Sequence, residues 1–252
     1  MKRTKIIMSF AIIPLLCSYT NYDSGKIILE YHALTEAIKI IDDQGNNIEH
    51  KGESVGGLGH SYIVVHNTKN YNVNVGNYVL KSNDSVSVGL WSSSAFGSSI
   101  TSNCSYIGSS FSSSSFGSSS SSGNVKLDHS GIMYDYERFY YTRIERPTND
   151  IYLTIDLTES QLLQISNVIK NQNDEYNVVW YNCANFATEI WNLVSTKSYY
   201  NGWFRNPGAM HNEIHTDFPN SYKHGNYALK TIERFCFYDT SSKLFHGFGL
   251  SL

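Results

Sequence analysis

From residue 60 onward the chain alternates apolar and polar positions in segments of strand length. His60-Ser-Tyr-Ile-Val-Val-His-Asn67 reads as one strand, and residues 71–80 set Val73 and Val75 against Asn72 and Asn74. Thr68-Lys69 between them predicts a tight hairpin. Residues 85–91 form a third strand pattern, with Val86 and Val88 on one face and Ser85, Ser87 and Gly89 on the other. Residues 132–144 mix aromatics and charges in a strand-like way, and residues 151–157 alternate most cleanly of all. Upstream, residues 27–49 carry apolar runs and a turn signal at Asp43-Gln-Gly-Asn46, the pattern of a short helix or strand leading into a hairpin.

The periodicity then changes. Thr158 and Gln161 form a capping-box pair ahead of Leu162, Ile165, Val168 and Ile169, which recur at helical spacing until residues 171–174. A second amphipathic helix starts at Cys183. Phe186, Ala187, Ile190, Trp191 and Val194 share one face, with Asn185, Thr188, Glu189 and Asn192 opposite. Asn206-Pro207 is a cap followed by a first-turn proline and opens a short helix through Ile214. Strands interrupted by separate helices, without regular strand-helix alternation, predict an α+β domain.

Composition narrows this picture. The 252 residues are 41% hydrophobic and 16% charged with a net charge of −3, enough for one large domain and too neutral for a general nucleic-acid binder. The first five residues are basic, and residues 6–16 are apolar apart from Ser9 and Pro14. About eleven residues are too few to span a bilayer. Residues 1–20 are therefore expected to be a signal peptide, which makes the mature protein secreted or surface-associated with no membrane span. A buried N-terminal helix is the alternative, and bulky Leu16 before Cys17 argues against a lipid anchor. Residues 92–124 are about half serine and are expected to be a flexible insertion. The expected layout is thus a signal peptide over 1–20, a lead-in over 21–51 and the main domain over 52–252.

Four cysteines (Cys17, Cys104, Cys183 and Cys236) form no CxxC pair, which excludes a zinc ribbon or thioredoxin motif. Three remain once the signal peptide is gone. Cys104 and Cys236 can pair or stay apart, and Cys183 is the thiol expected to be free. A thiol in the first turn of a helix sits at the positive end of the dipole, which favours the thiolate. A buried structural cysteine is the plain alternative. A nucleophile needs a base and a third group to orient it. His60 opens a strand directly after Gly56-Gly-Leu-Gly59 and is the candidate base. If Thr68-Lys69 is a two-residue hairpin, Asn77 lies opposite His60 and is the candidate orienter, although a one-residue slip would turn it over. His66 falls at the turn end and reads as a surface histidine.

Gly59-His60-Ser-Tyr-Ile-Val-Val, followed much later by Asn182-Cys183-Ala-Asn-Phe-Ala, resembles circularly permuted papain-like cysteine enzymes, a group that includes NlpC-type cell-wall peptidases and lecithin retinol acyltransferase-like proteins. In that group the histidine strand precedes the cysteine helix. The resemblance implies an antiparallel sheet packed on a cysteine-bearing helix, with the serine-rich tract inserted between the motifs. It also implies Cys183 as nucleophile, His60 as base and Asn77 as orienter. Relatives of the acyltransferase branch more often carry histidine at the third position.

The reading that follows is an exported amide or peptide hydrolase acting through an acyl-enzyme, with cell-wall-type amides as substrate and no cofactor. A lipid acyltransferase on the same fold is the alternative within enzymes. The alternative outside them is a non-catalytic module with an aromatic surface built from Tyr134, Tyr136, Tyr140, Tyr141, Tyr199, Tyr200, Trp203 and Phe204. His211 and His215 lie four apart with Glu213 between them, but the order is not HExxH, so a solvated helix face is expected there and no metal.

Overall fold

An antiparallel sheet of nine strands organises the protein. The computed structural model describes residues 25–34, 40–41, 47–48, 59–92, 104–108, 131–141, 150–172, 176–177, 179–224, 234–239 and 243–250. Residues 1–24, with the expected signal peptide and Cys17, lie outside them, as does most of the serine-rich tract. The strands are β1 (Ile27–Leu34), β2 (Ile40–Ile41), β3 (Asn47–Ile48), β4 (His60–Asn67), β5 (Val73–Val75), β6 (Tyr78–Leu80), β7 (Asp84–Trp91), β8 (Cys104–Gly108), β9 (Gly131–Tyr134), β10 (Asp150–Leu157), β11 (Lys223–His224), β12 (Arg234–Asp239) and β13 (Leu244–Leu250). The helices are α1 (Tyr136–Tyr141), α2 (Glu159–Asn171), α3 (Cys183–Val194) and α4 (Pro207–Asp217). The large sheet runs β11-β10-β1-β4-β7-β9-β12-β13-β8, while β2-β3 and β5-β6 are separate hairpins. The chain is α+β with a mostly antiparallel sheet.

Both faces of the middle strands are covered, so β4 is buried along nearly its whole length. Ile63, Val65, Val86 and Val88 face the main core with Phe186, Ala187 and Ile190 of α3. Tyr62 and Val64 turn to the other face and cluster with Leu34. Tyr31 of β1 stacks on Trp191 of α3 at 5.1 Å between ring centroids. These contacts place α3 over β1, β4 and β7.

Several expectations change. Residues 27–34 are no lead-in, because β1 pairs with β10 on one side and β4 on the other, in the middle of the sheet. Residues 60–67 and 71–80 do not form a hairpin with each other. β4 pairs instead with β1 and β7, and residues 73–80 fold on themselves around Gly76-Asn77, with Val75 opposite Tyr78. Residues 132–144 are strand only to Tyr134. The chain then turns at Asp135 (φ 63°) and becomes α1. Within the serine-rich stretch, Cys104–Gly108 is a strand paired with β13.

Candidate active site

Cys183 is the first residue of α3, and Asn182 builds that helix end. Its side-chain oxygen accepts from the backbone N–H groups of Ala184 (2.8 Å) and Asn185 (3.3 Å), and Asn185 reciprocates on the Asn182 N–H at 3.2 Å. The Asn182 amide also donates to the Arg205 carbonyl at 2.8 Å, which ties the helix start to the loop before α4. Asn182→Ala removes the cap and that tie together. It is expected to cost about 1–2 kcal/mol, read as a lower urea midpoint at unchanged slope.

The structure brings Cys183 and His60 together: each side chain is close enough to shift the ionisation of the other, and both are buried. His60 Nε2 lies 3.1 Å from Glu137 Oε1, which leaves Nδ1 for the sulfur. Glu137 is fully enclosed and accepts two further hydrogen bonds, from Trp91 Nε1 (2.9 Å) and Ser87 Oγ (2.7 Å). The Trp91 ring lies 4.0 Å from that of His60 and Tyr62 stacks at 5.7 Å, so the imidazole is held by its neighbours as well as by its bonds.

Asn77 is not at this site. It sits in the turn between β5 and β6, where its backbone meets the Tyr134 hydroxyl. The third position belongs to Glu137, the second residue of α1. Asp135 positions that short helix. Its N–H donates to the Ser87 carbonyl at 2.9 Å, its carboxylate accepts from the Ser87 N–H at 3.2 Å, and Arg138 pairs with it at 3.0 Å.

The electrostatics follow from this packing. Burial alone would lower the His60 pKa, but the charge and hydrogen bond of Cys183, reinforced by Glu137, raise it to about 9. Burial alone would raise the Cys183 thiol. The His60 charge and hydrogen bond, the Ser61 N–H and the Tyr176 hydroxyl outweigh it and bring the thiol below its ordinary value. A thiolate–imidazolium pair is the state this arrangement favours. Tyr176 also takes a hydrogen bond from the Cys183 backbone N–H, so its hydroxyl sits beside both the sulfur and a helix-terminal donor.

The other candidates fall elsewhere. His66 is half-buried, bonded to Ser85 at 2.6 Å and 3.1 Å from Glu30, rather than a free surface group. Glu213 pairs with Arg205 at 2.7 Å, and His215 packs on Tyr222. Cys236 is a free thiol, buried and pushed up by burial, while the side chain of Cys104 lies outside the described residues. Of the expected aromatic surface, Tyr134, Tyr136 and Tyr199 are buried, whereas Tyr200, Trp203 and Phe204 are exposed. The side chains of Tyr140 and Tyr141 lie outside the described residues. Searches against protein-family models, curated proteins and solved structures find no match to this chain.

Proposed function

We propose that this protein is a cysteine-dependent acyl-transfer enzyme, an exported amide or peptide hydrolase of permuted papain-like architecture, with Cys183 as nucleophile, His60 as base and Glu137 as orienter. The observation that supports it is the buried chain Cys183–His60–Glu137, in which Glu137 engages Nε2 of the ring and the Cys183 thiol interacts with the same imidazole. Glu137 accepts the Nε2 proton and so fixes the tautomer whose Nδ1 can take the thiol proton. The thiolate attacks a carbonyl carbon, and the C=O π electrons move to oxygen. When the tetrahedral intermediate collapses, the imidazolium returns its proton to the leaving amine. Water, deprotonated by His60, then releases the acid and restores the thiol. The Tyr176 hydroxyl, polarised by the hydrogen bond it takes from the Cys183 N–H, turns from the sulfur to the oxyanion as the thiolate charge is spent, with the helix dipole behind it. An acceptor alcohol or amine in place of water would make the same site a transferase.

Alkylation tests the reading. Iodoacetamide should label wild-type protein at pH 6, where an ordinary thiol is almost wholly protonated, and Cys183→Ala should lose that labelling. Cys236 should stay unlabelled while the protein is folded. Equal labelling of wild type and Cys183→Ala at pH 6, or labelling that begins only above pH 8, would leave Cys183 a structural thiol.

A further inference from the structure

Strand alternation puts His60, Tyr62, Val64 and His66 of β4 on one face of the sheet. The first three are buried, and the face opens at His66, whose side chain is 22% exposed, beside the half-buried Glu30 and Ser85. Six residues of strand, roughly 20 Å, separate this end from His60. None of its groups takes part in the chemistry of Cys183.

Three adjacent strands meet at the open end. Ser85 of β7 stands directly opposite His66, and its hydroxyl lies 2.6 Å from His66 Nδ1. Glu30 of β1 faces Val64, one diagonal step from His66, and its Oε1 lies 3.1 Å from His66 Nε2. The other carboxylate oxygen of Glu30 lies 3.0 Å from Nε2 of His32, whose Nδ1 is 3.2 Å from Asp150. The order is hydroxyl, imidazole, carboxylate, backed by a second imidazole and a second carboxylate.

A polar tie between two strands needs only the Ser85–His66 bond. Gathering Glu30, His32 and Asp150 behind it takes charged groups out of water, which opposes folding unless each is paired. Their pairing has a chemical consequence. Burial opposes charge on Glu30, but the His32 and His66 rings hold it well below the usual carboxylate range. An ionised Glu30 favours the His66 tautomer with hydrogen on Nε2, which leaves Nδ1 to accept the Ser85 proton. His32 and Asp150 fix the carboxylate in turn.

We propose that Ser85, His66 and Glu30 form a second hydrolytic site, an esterase centre at the open end of this sheet face. Ser85 Oγ attacks the ester carbonyl carbon as its proton passes to His66 Nδ1, and the C=O π electrons move to oxygen. Collapse of the intermediate expels the alcohol, which takes the proton from the imidazolium, and leaves acyl-Ser85. Water, deprotonated by the same ring, then releases the acid and restores the hydroxyl. The local donors set the substrate class. The Ser85 N–H is committed to Asp84 Oδ1 at 2.8 Å, and a strand presents no helix-terminal amides to a developing oxyanion. An amide, whose amine departs poorly, needs that assistance, whereas an ester of an acidic alcohol does not. Glu30 and Asp84 also disfavour an anionic acyl group. The substrate that fits is an uncharged short ester with a good leaving group. This site is independent of the catalytic reading above, since Cys183→Ala should leave it intact.

Cys183→Ala protein, from which the first nucleophile is gone, is therefore the sample. A fluorophosphonate, which traps nucleophilic serines, should label it at Ser85, read by peptide mass mapping, and the same protein should hydrolyse p-nitrophenyl acetate. Adding Ser85→Ala or His66→Gln should lower that hydrolysis about 10²-fold, with a melting curve to report the fold. Ser85→Cys keeps a partner for the ring, so it serves where Ser85→Ala fails to fold, and its thiol should take up iodoacetamide in the folded protein. No fluorophosphonate on Ser85 would overturn the proposal, as would hydrolysis that survives Ser85→Ala in folded protein or an unreactive thiol in Ser85→Cys. Iodoacetamide labelling of Cys183 in wild type reports the catalytic reading separately.

Discussion

Gly89→Ala should suppress the activity of Cys183 by about 10²- to 10⁴-fold while leaving the protein folded. A methyl at position 89 of β7 would overlap Glu137 Oε1 and come within 3.1 Å of His60 Nε2 and 3.0 Å of Trp91 Nε1. The strand has little freedom to withdraw, because β7 is paired to β4 on one side and β9 on the other. Glu137 is 1% exposed and has no solvent to retreat into. Its carboxylate must therefore leave His60. Overpacking of this kind costs about 1–3 kcal/mol, which a stable domain survives. The effect is measured as the rate of Cys183 alkylation at pH 6, alongside a melting curve. Glu137→Gln provides the graded comparison. It keeps the shape and an acceptor for the Nε2 proton but removes the charge, so its loss should be smaller, about 10²-fold. With that charge gone the His60 pKa should fall, moving alkylation to higher pH. Wild-type alkylation in Gly89→Ala would show that the Glu137 contact does no chemical work.

Two of the three residues of this site were legible in the sequence. Cys183 was readable because its environment is local: a cap, a helix start and an apolar face within a dozen residues. His60 was readable from the glycine-rich approach to a strongly apolar strand. Glu137 lies 77 positions from His60 and is joined to it by the order of strands in the sheet, which no local pattern encodes. The aromatic run around it suggests a strand, whereas the structure makes residues 136–141 a helix whose start is held by the Asp135–Arg138 ion pair. Asn77 was misplaced for a related reason. Thr68-Lys69 looked like the turn, yet Gly76-Asn77 between two valine-bearing segments is itself a two-residue hairpin signature, and the chain folds there. Residues 27–34 do alternate, with Leu29, Tyr31 and Ala33 against Glu30 and His32, but their place in the middle of the sheet comes from pairing with β4 and β10, both distant in sequence.

The covered far face of the sheet carries the second large effect. His60, Tyr62, His32 and Tyr152 stack in series across β4, β1 and β10, with His32 between Tyr62 (4.5 Å) and Tyr152 (4.6 Å). His32 is 1% exposed and held by carboxylates at both ends: Nδ1 lies 3.2 Å from each Asp150 oxygen and Nε2 lies 3.0 Å from Glu30. A buried ring between two carboxylates keeps its proton. Burial opposes the charge, but Asp150 and Glu30 overcome it and raise the pKa to about 9. The hydrogen bond with His32 and the nearby His66 ring likewise overcome burial at Glu30 and hold it near 2.

The pH dependence of stability follows from these directions. The His32 contribution is complete below its unfolded value near 6.5 and is lost as pH rises through about 9, on the order of 3 kcal/mol. The Glu30 contribution is complete above about 4.5 and is lost as pH falls toward 2. Asp150, which burial pushes up despite His32, tilts the acid limb the other way and flattens it. Urea denaturation should therefore show the alkaline limb as the steeper one, with stability falling between pH 6.5 and 9. His32→Gln should be less stable at pH 6 and should lose most of that slope. The His32 imidazole resonance, assigned by its absence in His32→Gln, should titrate near 9 in the folded protein. A midpoint between 6 and 7, or an unchanged alkaline slope in the variant, would mean that the two carboxylates do not hold a charged ring.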